Sequence, residues 1–102
     1  MEFRFAYEKM EPSALAVDVV TARLSEIFQR FDVLRGVRAL VTLRIDETLD
    51  VAKPDLFQIK LRIETGRLAG LLLDQSAPSF YVALANIGER LTERSLERAM
   101  AV

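Results

Sequence analysis

Residues 36–46 read GVRALVTLRID, and their alternation decides the fold. Val37, Ala39, Val41, Leu43 and Ile45 fall on one parity, and Arg38, Leu40, Thr42, Arg44 and Asp46 on the other. Successive side chains of a strand point to opposite faces, so this pattern is a half-buried strand with one apolar and one largely polar side. Ten residues on, LFQIKLRIE (56–64) repeats the pattern with Phe57, Ile59, Leu61 and Ile63 inward. The segment between them, ETLDVAKPD, holds acids, a proline and no periodicity, and reads as an exposed hairpin loop.

Working outward, residues 2–8 alternate in the same way, with Phe3, Phe5 and Tyr7 against Glu2, Arg4 and Glu8. Pro12 and Ser13 open a helix, Ser13 as its N-cap. Val17, Val20, Leu24, Ile27, Phe28 and Phe31 recur at spacings of three and four, so this helix is amphipathic, ends near Asp32 and is closed off by Gly36. After Gly66, RLAGLLLD (67–74) reads as a fourth strand, and Gln75 to Ser79 as a loop leading into the last helix. That helix runs from about Ser79 to Met100, with Phe80, Leu84, Ile87 and Leu91 on its apolar stripe. The expected architecture is α+β: a two-layer β-α-β-β-β-α sandwich, its four-stranded sheet covered on one face by both helices and open to water on the other. A parallel first strand pair and antiparallel pairing for the rest follow from the connection lengths. Residues 1–102 are expected to form a single domain.

Composition narrows the chemistry. With no cysteine and no histidine, thiolate sites, disulfides and the commonest general base and transition-metal ligand are all missing. No paired carboxylates, metal-ligand cluster or glycine-rich phosphate loop can be named, so we expect no catalytic residue, metal, cofactor or small-molecule substrate. The start, MEFRF, lacks a signal-peptide pattern, and no apolar run approaches the ~20 residues of a membrane span. A cytoplasmic protein with no membrane partner is expected. The 14 basic and 15 acidic residues leave a net charge of −1, so a nucleic-acid partner must be met by the arrangement of charge, because its total gives no help.

Two arrangements are candidates. The open sheet face carries Arg4, Arg38, Arg44, Lys60 and Arg62 toward the strand middles, with acids mostly at strand ends. On the last helix, GERLTERSLERAM (88–100) places Arg90, Arg94 and Arg98 in one row beside the apolar stripe and Glu89, Glu93 and Glu97 in another behind it. On the first helix Arg23 and Arg30 share a side with Glu26. Each set also reads as a solvated surface, and the first-helix set taken alone reads only so.

Across nearly its full length the chain resembles the small ribosome hibernation-promoting factors, also called sigma-54 modulation proteins. The resemblance rests on the element order, on VTARL (20–24) and QRFD (29–32), and on Tyr81, Ala83-Leu84, Ile87 and Arg90-Leu91 in the last helix. It implies a stress-response factor that binds RNA of the small ribosomal subunit through basic side chains and inhibits translation. Arg23 and Arg90 keep the family's basic character, whereas Glu26, Glu93 and Glu97 stand where Lys or Arg is common. The RNA-binding set expected on this reading is Arg23, Arg30, Arg90, Arg94, Arg98, Arg44, Lys60 and Arg62. The alternative is a protein-interaction or self-associating module on the same fold that has lost RNA binding, a homodimer included, motivated by the mixed charges, by outward-facing Leu40 and by the edge of the fourth strand.

Overall fold

A computed structural model describes residues 2–101; Met1 and Val102, the ends of the expected domain, lie outside the described residues. Strands β1 (Glu2–Glu8), β2 (Arg38–Asp46), β3 (Leu56–Ile63) and β4 (Leu72–Ala77) form one sheet in the order β1-β2-β3-β4. β1 pairs parallel with β2, and β2–β3 and β3–β4 pair antiparallel. Helix α1 (Ala14–Arg30) makes the crossover from β1 to β2, and helix α2 (Phe80–Met100) follows β4. Both return from the same end of the sheet, so they lie parallel to each other on one face. The α+β sandwich expected from the alternation is the one observed.

Local chemistry sets the helix boundaries. Ser13 Oγ accepts from the Ala16 N–H at 3.1 Å and Ser79 Oγ from the Val82 N–H at 3.4 Å, each satisfying a donor that the first helical turn leaves free. α1 stops at Arg30, and Asp32–Leu34 forms a short 3-10 turn that drops Val33 and Leu34 into the core. The helix is thus slightly shorter than its periodicity suggested.

The larger correction concerns β4. Gly66 and Gly70 both adopt positive φ, +86° and +92°, so a wide turn with Leu68 packed against the core takes up residues expected to be strand. β4 begins only at Leu72 and extends through Gln75 to Ala77, which were expected to be loop. Gly66 has a second constraint, because an added Cβ would lie 2.9 Å from Val37 Cγ2.

The core lies between the sheet and the two helices. Val20, Leu24 and Ile27 of α1 and Ile87 and Leu91 of α2 are fully buried against Val41, Ile59, Leu61 and Ile63. Gly88 marks the helix contact: a Cβ there would meet Ile27 Cδ1 at 3.2 Å, so glycine permits the close approach. One polar group interrupts this layer. Ser95 is fully buried and its Oγ has no hydrogen-bond partner among the described residues. Removing an unsatisfied buried hydroxyl while raising helix propensity is favourable. Ser95→Ala should therefore raise the unfolding free energy by about 1 kcal/mol, read from the urea midpoint.

Candidate nucleic-acid interface

The sheet separates the eight expected RNA-binding residues into two groups on opposite sides of the molecule. Arg44, Lys60 and Arg62 stand on the open face, and Arg23, Arg30, Arg90, Arg94 and Arg98 belong to the helix layer.

On the open face, register decides which cations remain available. Arg44 is cross-strand from Glu8 and Gln58; its guanidinium donates to Asp46 at 2.8 Å and to Glu8 at 3.1 Å. These bonds raise the Arg44 pKa and hold the Asp46 carboxyl below its usual range. Arg44 is thus neutralised in place. Arg4 donates to both Glu64 oxygens, at 2.7 and 2.6 Å, and lowers that carboxyl in the same manner. Lys60 and Arg62 have no ion pair among the described residues. Arg62 sits between Leu40 and Leu72 in one cross-strand row, and Lys60 between Thr42 and Asp74 in the next. Asp74 is itself held by Gln58 at 2.7 Å. The centre of this face is a pair of cations in a partly apolar setting, bordered by ion pairs.

In the helix layer, Arg23 and the α2 row do not merge into one band. The Arg23 guanidinium lies along the helix groove, 3.4 Å from where a Gly88 Cβ would be, and pairs with Glu26 at 3.3 Å. Arg90 sits on the other flank of α2, where it shares a polar cleft of about 420 Å³ with Gln75, Asn86, Glu89 and Glu93. Within that cleft it pairs with Glu93 at 3.4 Å, and one turn on Arg94 pairs with Glu97 at 3.7 Å. The two rows seen in the sequence are therefore stitched together by pairs three residues apart. Such exposed pairs are weak, typically under about 1 kcal/mol, and release readily to a better partner. Arg30 and Arg98 have no ion pair among the described residues, and each occupies the last turn of its helix. Because the helices are parallel, these two arginines share one end of the molecule.

Sequence reading missed that this end is further enriched by the glycine turn. Arg67 is exposed there, next to Leu68, which with Leu71, Arg94, Glu97, Arg98 and Ala101 lines a shallow cavity of about 290 Å³. The signal was the spacing of Gly66 and Gly70, which closes a turn where alternation alone suggested a strand.

The same architecture is found in a ribosomal subunit interface protein from Coxiella burnetii, with a TM-score of 0.67 over 99% of this chain and 100% of that one, at 6% identity. The chain has the fold of a ribosomal subunit interface protein. The N-terminal domain of Protein Y from Thermus thermophilus shares it too, with a TM-score of 0.57, 13% identity, and coverage of 92% and 91%. No protein-family model matches the chain, and neither does any curated protein sequence. The likeness is one of fold. On this interface-protein fold, the carboxylates nearest the helix-layer arginines are Glu26, Glu93 and Glu97, the residues that stand apart from the basic pattern the resemblance implied.

Proposed function

We propose that this protein binds ribosomal RNA of the small ribosomal subunit and thereby holds back translation, by binding alone and without a catalytic step. The observation that carries this reading is the fold, shared over nearly the whole chain with a ribosomal subunit interface protein. Arg30, Arg94 and Arg98 at the C-terminal end of the helix layer are the leading contacts, because two of them have no ion pair among the described residues and the third is held only loosely. Arg23 and Arg90 would exchange their glutamates for phosphates, and Lys60 and Arg62 offer a second, smaller patch on the open sheet. Arg44 contributes least, since two carboxylates already hold it.

Phosphate contacts release counterions, so the affinity must fall steeply with salt, by close to one logarithmic unit of slope per contact. Co-sedimentation with purified small subunits checks this. The protein should travel with the subunits at low salt and leave them at high salt. Clean separation at low salt, with folded protein in excess, would remove the proposal.

A further inference from the structure

The hairpin between β2 and β3 is acidic, apolar at its tip and hydrogen-bonded within itself. The Thr48 N–H donates to Asp55 Oδ1 at 3.0 Å, Asp50 N–H to Thr48 Oγ1 at 3.1 Å, and Ala52 N–H to Asp50 Oδ1 at 2.9 Å. This internal bracing holds Leu49 and Val51 fully in solvent, at 103% and 104% of their reference exposure. Around them stand Glu47, Asp50 and Asp55, with Lys53 as the one opposing charge within the loop.

The other end of the molecule carries the complement. The cavity beside the glycine turn has an apolar floor of Leu68 and Leu71 and a rim of Arg94 and Arg98, with Arg67 next to Leu68 in the chain and Glu97 as the rim's acid. Chain direction places the two features at opposite ends of a body 50 Å long: β2 ends and β3 begins at the hairpin, while α2 finishes at the cavity. Neither can reach the other within one copy.

The geometry points to head-to-tail association, in which the Leu49–Val51 tip of one copy seats in the Leu68–Leu71 cavity of the next and its acids meet Arg94 and Arg98. The occupant is a second copy of this chain because apolar tip matches apolar floor and acidic flank matches basic rim. A contact of this size buries well below the roughly 1,200 Å² of a standard stable interface, so it is weak, reversible and sensitive to salt. Two different surfaces meet, so nothing closes the assembly at a dimer, and chains lengthen with concentration. The contact covers Arg94 and Arg98, which the proposed function assigns to RNA. Self-association and RNA binding therefore compete.

Sedimentation of the full chain tests this. At low salt the weight-average mass should rise with protein concentration and return to the monomer at high salt. The tip variant Leu49→Asp/Val51→Asp and the rim variant Arg94→Glu/Arg98→Glu should each be monomeric alone. Mixed, they should form a dimer and stop there, because one retains a working cavity and the other a working tip. The milder Arg94→Gln/Arg98→Gln should weaken association about tenfold, which covers the case where charge reversal disturbs α2. A wild type that stays monomeric overturns the inference, as does association that survives both variants or a mixture that stays monomeric. A hairpin that captures a different protein belongs with these overturning outcomes. No RNA is present in the measurement, so failure here leaves the ribosome reading intact, and failure to co-sediment with ribosomes leaves this one intact.

Discussion

At low ionic strength, Glu93→Lys/Glu97→Lys should bind small ribosomal subunits about ten- to a hundredfold more tightly than the unaltered chain. Glu93 lies 3.4 Å from Arg90, and Glu97 lies 3.7 Å from Arg94. Both acids are about half exposed or more, at 48% and 69% of side-chain area, so neither substitution disturbs the core. The change frees two arginines and adds two cations on the same flank. Each added phosphate contact steepens the salt dependence by close to one unit, so the logarithmic slope should grow by about two. Titration of labelled protein with small subunits at several salt concentrations gives both quantities. An unchanged affinity and slope would mean that this flank of α2 faces solvent in the complex, leaving Arg23 and Arg30 of α1, and Lys60 and Arg62 on the opposite face, as the remaining candidates.

Leu61→Ala should cost about 3 kcal/mol of stability and lower the melting temperature by roughly 15 °C. Leu61 lies on β3, an interior strand, is fully buried, and is level with Val41 on one side and Leu73 on the other. Losing its side chain opens a cavity where sheet and helices meet, and the surroundings collapse only partly. Against a total of about 5–15 kcal/mol for a typical domain, that is a large fraction. Leu72→Ala, one strand over, is the control: Leu72 is 60% exposed on the open face and should lose no more than about 0.5 kcal/mol. Thermal and urea unfolding of the two variants side by side tests the assignment of faces. Equal costs would contradict the register.

Alternation made β1, β2 and β3 legible because each buries one face only, so most inward residues differ in kind from their neighbours, with outward Leu40 and Ala6 as exceptions. β4 was misplaced for the opposite reason. Leu68 and Leu71 pack against the core from a turn, while Leu72 is apolar but outward, so the run LLL carries no usable parity. The helices were readable from their periodicity, and helical angles separated the arginine row of α2 from its glutamates. Angles within one helix could not show that Arg23 lies across α2 at Gly88, on the flank away from Arg90. Nor could Arg44 be recognised as neutralised, since Glu8 is 36 residues away in the chain and reaches it only through β1–β2 register. Charge pairing between strands depends on which residues sit opposite, and composition holds no trace of that.

The parallel course of α1 and α2 has an electrostatic consequence of its own. Peptide dipoles sum along a helix to about half a negative charge at its C-terminus, and two parallel helices bring those partial charges together at one end. Arg30 and Arg98 occupy the last turns there, and each offsets a helix terminus by about 0.3–1 kcal/mol. The macrodipoles thus make these arginines part of the scaffold as well as of the candidate RNA surface. Neutralising them should loosen the final turns of both helices along with weakening any ligand, so binding losses in such variants carry a share that belongs to the fold.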